Sequence, residues 1–265
     1  MKMKKILSLL LAVIIAASVC SVAVYAATDN ITVYVSISDG ALRIGRGKVH
    51  VRDIDGGGIS VYDTLYCAHE QYYPDGAQAG FEAETTIYGL SLKKLWGKEN
   101  NYTYGYYIND EAANSLADPV KEGDDVFAFA YTDVKNWTDS YTFFDSKVYE
   151  ADAYDYIDVT LYCYKFDMVS FKFEKIPVAG AAISIDGASA KAVTDENGKA
   201  TITALKPGTH VISASCEDML IVPPASTLQS NGVNIFGAVK YYINAAIDLI
   251  INIFNYLKLQ VSLLK

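Results

Sequence analysis

Val193-Thr194-Asp195-Glu196-Asn197-Gly198-Lys199-Ala200-Thr201-Ile202 is a strand, a tight turn and a second strand, and it sets the fold class. Asn followed by Gly between two β-prone runs is a strong hairpin signal. Both central positions of a type I′ turn need positive φ, and these two residues tolerate it best. The segment is therefore expected to be a hairpin with Asn197-Gly198 at its tip. The same pattern continues on both sides. Pro177-Val178-Ala179-Gly180-Ala181-Ala182-Ile183-Ser184-Ile185 is a turn entering a strand, and Leu205-Lys206-Pro207-Gly208-Thr209-His210-Val211 is another.

Upstream, Ile31-Thr32-Val33-Tyr34-Val35-Ser36-Ile37 alternates at period two before a turn signal at Asp39-Gly40. Lys48 to Ile54 repeats the pattern, and the expected hairpin closes through Gly45 and Gly47. After Gly56-Gly57-Gly58, Ser60 can cap a helix whose apolar residues Val61, Leu65 and Ala68 fall at helical spacing. Strands follow at Tyr104–Ile108 and Val126–Tyr131, and again from Ile157 to Phe166. Strands, one helix, then strands is the order of a β-grasp fold.

Gly58 to Leu65, Tyr104 to Asn109 and Val120-Lys121-Glu122-Gly123-Asp124 together resemble the C-terminal β-domain of transcobalamin and its bacterial relatives. That resemblance implies a small ligand-covering or display module, without implying cobalamin. Residues 168–224, with Thr194-Asp195-Glu196-Asn197-Gly198 and Leu205-Lys206-Pro207-Gly208-Thr209, resemble the carboxypeptidase regulatory-like and Cna B-type sandwiches of bacterial surface proteins. Some Cna B-type domains carry a Lys-to-Asn cross-link. Lys172 and Lys175 are present, but Met219 to Val222 holds no asparagine, so the cross-link is not carried over.

At the start of the chain, Lys2, Lys4 and Lys5 precede an uncharged run and Val24-Tyr25-Ala26, the pattern of a cleavable export signal over 1–26 with a mature start at Ala27. The chain's formal charge is −9, and loss of those lysines makes it more negative by three. Such a balance excludes nucleic acid as the expected partner. It suits a protein soluble outside the cell or at its surface. Cys67, Cys163 and Cys216 form no metal or redox spacing, so either a Cys67 to Cys163 bridge or buried thiols is open.

The expected class is mainly β: a β-grasp-like α+β domain over 27–166 with an acidic aromatic extension at 132–158, a small prealbumin-like β-sandwich over 168–224, and an amphipathic helix over 231–265. His50, His69 and His210 have no triad or metal spacing, Gly56-Gly57-Gly58 lacks the lysine of a phosphate loop, and Asp53 and Asp55 lack further calcium ligands. No catalytic residue, metal or cofactor is expected. The function read from the residues is non-catalytic binding of a small molecule or glycan. Tyr104, Tyr106, Trp137 and Tyr141 are the candidate contacts, because aromatic faces stack on sugar rings beside carboxylates that accept from hydroxyls.

The alternative function is a structural or adhesive surface protein held by its last segment. In 233–265, Lys240, Asn244, Asp248, Asn252, Asn255 and Lys258 recur every three or four residues and form one helical stripe. Ile243, Ile247, Ile250, Phe254 and Leu257 lie on the apolar face. That face can meet a membrane surface, another copy in a homo-oligomer, or the chain's own β-domains.

Overall fold

The computed structural model describes residues 30–87, 89–167, 171–233 and 235–263; the expected export signal lies outside them. Strand β1 (Ile31–Ser38) pairs antiparallel with β2 (Leu42–Val51) around a turn where Gly40 takes φ 96°. Gly45 and Gly47 lie inside β2, not at its turn. The register slips between Val35 and Ile37, and Arg46 occupies that bulge at φ 47°. A bulge of this kind bends the strand and re-aims a side chain, here Arg46.

Helix α1 (Val61–Tyr72) starts where the cap signal placed it. The Ser60 hydroxyl accepts from the Asp63 N–H while the Asp63 carboxylate accepts from the Ser60 N–H, a capping box that satisfies two otherwise orphan donors. Its Val61, Leu65 and Ala68 are buried against β1 and β2. A single turn, α2 (Ala77–Gly80), leads to a separate small sheet of β3 (Glu82–Thr86), β4 (Gly89–Leu95) and β5 (Lys98–Glu99). The chain then returns through β6 (Tyr104–Ile108), β7 (Glu111–Ala112) and β8 (Asp125–Ala130). The sheet order is β2-β1-β8-β6-β7, with β8 parallel to β1 in the middle. Hairpin, crossing helix and a last strand returning to the centre make this the β-grasp arrangement that the order of elements implied.

The second unit contains β9 (Ser140–Phe144), β10 (Val148–Ala153), β11 (Tyr156–Asp167), β12 (Lys172–Pro177), β13 (Ala181–Ile185), β14 (Ala188–Val193), β15 (Lys199–Thr203), β16 (Gly208–Cys216), β17 (Ile221–Val222) and β18 (Ser226–Val233). One sheet runs β10-β18-β16-β13-β14; the other runs β12-β11-β9-β17, with β15 on β11. Val159, Leu161, Ile183, Ile202, Ile212 and Leu228 fill the space between them. The fold is mainly β, with a sandwich and a C-terminal helix, α3 (Ile235–Leu263).

The hydrogen-bonded sheets divide the chain elsewhere than at 166–168. The acidic aromatic segment 132–158 supplies β9 and β10, which are sandwich strands rather than an extension of the first domain. β11 runs across the expected boundary and pairs with β9, β12 and β15. Residues 168–224 alone would lack β11 and the interior strand β18, and residues 231–233 belong to β18 and not to the helix.

The turn at Asn197-Gly198 also differs. Asn197 is not among the positive-φ residues, whereas Gly198 is at φ 73°, and the Gly198 N–H donates to Asp195 O at 2.9 Å. The Asp195 carboxylate takes the N–H groups of Asn197 and Lys199. The turn therefore needs left-handed backbone at one position rather than two. It carries the chain between the sheets: β14 pairs with β13, and β15 with β11. Cys67 and Cys163 are buried in different cores, so they remain separate thiols, and burial raises the pKa of each.

Candidate functional site

β8 is buried along nearly its whole length because its sheet is covered on both faces. Val126 and Ala128 join the core under α1, while Phe127 and Phe129 face a third cluster with Tyr141, Phe143, Val222 and Ala225. This aromatic seam joins the two units. Tyr107 and Tyr141 stack with centroids 3.6 Å apart, Phe127 meets Tyr141 edge-on at 5.5 Å, and Phe143 lies 4.9 Å from Tyr164. Lys175 Nζ stands 3.8 Å from the Tyr162 centroid. The Tyr141 hydroxyl donates to Asp110 at 2.8 Å, and burial, helped by that carboxylate, pushes its pKa well up.

The seam corrects the expected ligand contacts. Tyr141 is only 5% exposed, so its ring faces are covered by protein and cannot stack on a sugar. Tyr104 and Tyr106 are half-buried on the opposite face of the grasp sheet, packed on the α1 core, with the Tyr104 hydroxyl donating to Lys93 O. Trp137 is 63% exposed, its ring centroid 6.5 Å from that of Tyr131. The four aromatic candidates thus do not form one platform. Sequence periodicity placed Tyr104 and Tyr106 on a shared strand face, but it could not show that Tyr141 belongs to a strand packed against the other side.

Beside the seam, Arg46 reaches from its bulge across the unit boundary. Its guanidinium holds Asp125 through two bonds, at 2.6 and 2.9 Å, and donates to Lys147 O and Thr227 Oγ1 at 2.8 and 2.9 Å. It also lies 4.4 Å above the Tyr34 ring. All of this follows from a buried planar fork with enough donors to serve a carboxylate and a second unit together.

The histidines are structural in geometry. His50 Nδ1 is 3.2 Å from Thr32 Oγ1, and His210 is held between Asp186 and Lys206 O. His69 is fully buried among Tyr73, Phe81 and Trp96; its Nε2 accepts from the Trp96 N–H, and its other nitrogen donates to Leu65 O. Desolvation pushes its pKa down to about 4, against a partial opposing effect of the Leu65 carbonyl. The sign for stability follows directly. Between its ordinary pKa of 6.5 and about 4 the unfolded chain binds a proton that the folded chain refuses, so stability falls as pH drops through that window. At pH 5 the loss is expected to be about 2 kcal/mol. Denaturant unfolding at pH 7 and pH 5 should show that increment in the parent chain and a smaller one in His69→Gln; equal increments would remove His69 as its source.

Asp53, Asp55 and Asp63 place carboxylate oxygens within 4.8 Å of one another. Each has work in the loop before α1. Asp53 accepts from the Gly56 and Gly58 N–H groups, Asp55 from Gly57, and Asp63 from Ile54 and Ser60. The Asp53 pKa is lowered by those backbone donors, Gly58 first. The arrangement is that of a turn and a helix cap.

The residues expected to form an apolar face on α3 remain uncovered: Ile243 is 55% exposed and Phe254 68%, and Ile247, Ile250 and Leu257 are similarly open. The helix touches the sandwich through its other side. Asp248 pairs with Lys191 at 3.2 Å, Lys240 lies 5.0 Å over the Tyr156 ring, and Tyr241 and Tyr242 pack 5.0 and 5.8 Å from Tyr154. Between them is a cleft of about 600 Å³ whose helix-side lining is Tyr241, Ala245, Asp248, Leu249 and Asn252. The polar stripe is therefore turned inward to the protein, and the apolar face outward. No described helix is long and apolar enough to cross a membrane.

No family model matches the chain. No curated protein is similar to it in sequence. Among solved structures, the fibronectin(III)-like modules of Clostridium thermocellum CbhA align over 50% of this chain and 79% of theirs, at 8% identity and TM-score 0.27. The D0–D1 domain of intimin aligns over 74% of this chain and 97% of its own, at 13% identity and TM-score 0.26. At these TM-scores neither likeness carries weight for function.

Proposed function

We propose that the chain is an exported, non-catalytic surface protein, a structural or adhesive module whose two joined β units are carried on α3 and held to an apolar partner through that helix. One observation supports the reading above the others: the polar stripe of α3 faces the sandwich while Ile243, Ile250, Phe254 and Leu257 point into solvent. An exposed apolar face of this extent is a mark of an interaction surface, since exposed apolar patches beyond a few hundred Å² are uncommon on free soluble proteins. The aromatic seam adds to the reading. It spends Tyr141, one of the expected ligand contacts, on fixing one β unit to the other.

Deletion of residues 235–265 tests this. The remaining β units should unfold in a single cooperative transition and stay monomeric. The full chain should either self-associate or partition into detergent micelles. A full-length monomer indifferent to detergent would end the reading, as would a truncated chain that fails to fold.

A further inference from the structure

We infer that the apolar partner of α3 is the interface of a lipid bilayer, on which the helix lies flat with the β units on its water side. The inference rests on the reading above and names its partner. Spanning is disfavoured by the helix itself, because Asn244, Asp248, Asn252 and Asn255 interrupt its middle. The choice lies between lipid and a second copy of the chain.

Area leans against a second copy without deciding. A helix of 29 residues is about 43 Å long, and a third of its surface is roughly 450 Å², below the ~800 Å² per partner of an ordinary stable interface. Width does decide. At ~100° per residue, Ile253, Leu257, Ile250, Ile243, Phe254 and Ile247 follow one another around an outward apolar arc of about 120°, while Tyr242 and Leu249 beyond its edge meet Tyr154 and the cleft. A coiled-coil seam is a narrower stripe, so pairing through Ile243, Ile250 and Leu257 would leave Ile253 on one flank and Ile247 on the other in water. A bilayer surface covers the whole arc at once.

Charge and flanking chemistry agree. Asp248, the one acid of the helix, is answered from the protein side by Lys191. The other charges among the described helix residues with placed side chains are Lys240 and Lys258, which lie at one angular edge of the arc and about 27 Å apart along the axis. From such an edge a lysine stem can follow the apolar surface while its ammonium meets headgroup phosphate. Tyr256, 62% exposed, lies beyond the opposite edge, where tyrosine suits the boundary between acyl chains and headgroups. The chain's net charge of −9 opposes strongly anionic membranes, so apolar area leads and the binding should tolerate salt.

The test is vesicle flotation of the full chain with phosphatidylcholine alone and with added phosphatidylglycerol, beside light scattering without lipid. Flotation on neutral vesicles should persist at about 0.5 M NaCl, where surface charge interactions are screened. Ile250→Asp with Phe254→Asp should reduce it by about tenfold or more, and Asn244→Asp on the polar stripe by less than about twofold. Flotation that survives the double substitution overturns the inference, as does flotation that needs phosphatidylglycerol and vanishes in salt. If the chain fails to float but self-associates through the same face, the partner is another copy: lipid is wrong and the proposed function stands. Failure to float, to self-associate and to enter micelles removes both.

Discussion

Arg46→Ala is expected to lower the unfolding free energy of the chain by about 3–5 kcal/mol, the usual cost of removing one partner from a buried ion pair. The reason lies in what the guanidinium leaves behind. The Arg46 side chain is 5% exposed and that of Asp125 16%, so the carboxylate would lose its counter-charge where water only partly replaces it. Lys147 O and Thr227 Oγ1, both in the sandwich, would lose a donor as well. The loss therefore falls on the bond between units and not on one strand alone. Arg46→Lys should recover only part of it, because an ammonium restores charge without the planar fork. Arg43 supplies the comparison: its pair with Asp39 joins a half-exposed cation to a buried carboxylate within the first unit, so Arg43→Ala leaves a carboxylate unpaired but breaks no bond between units, and it should cost less than Arg46→Ala. Chemical denaturation of the three variants checks this; a loss below about 1 kcal/mol for Arg46→Ala would mean that the seam holds the units without it.

Arg46 also shows where sequence reading ends. The hairpin of β1 and β2 was legible from period-two alternation and the α1 start from Ser60, because both signals are local. The bulge at Arg46 was not. Gly45 and Gly47 were read as turn glycines, yet Asp39 to Ala41 makes the turn, and only the pairing register shows the extra residue. Parallel pairing hid the domain boundary in a similar way. β1 joins β8, β10 joins β18 and β9 joins β17 across long stretches of chain, and no turn residue announces such partners. The segment 132–158 accordingly read as an acidic aromatic insert, although Tyr141 and Phe143 are core. The β3–β5 sheet escaped because its strands are short and rich in Glu and Lys, so little alternation marks them. The helix α3 was legible as an amphipathic period, but only the contacts of Asp248 and Tyr241 show which face is turned outward.

Gly198→Val is expected to destabilise the chain by about 3 kcal/mol or more, through two costs that act together. The first is the backbone: at φ 73° a β-branched residue sits in a region it resists. The second is space. A Cβ at Gly198 would lie 2.5 Å from Leu161 O and 3.1 Å from Val178 N, both main-chain atoms that cannot rotate away. Those atoms are already engaged, since the Leu161 N–H donates to Gly198 O and the Val178 N–H to Leu161 O. Relief would have to come from moving β11, the strand on which β9, β12 and β15 all pair. Alanine separates the two costs. Gly187 has nearly the same backbone angle, φ 76°, but a Cβ there meets nothing within 4 Å. Gly187→Ala should therefore lose about 1 kcal/mol from the backbone alone. Gly198→Ala should lose at least about 2 kcal/mol more than that from the contact with Leu161. The measurement belongs on the full chain, because a 168–224 fragment would lack β11, the strand that makes the contact. Equal losses for the two alanine variants would show that the backbone angle sets the cost and that β11 yields to the new side chain.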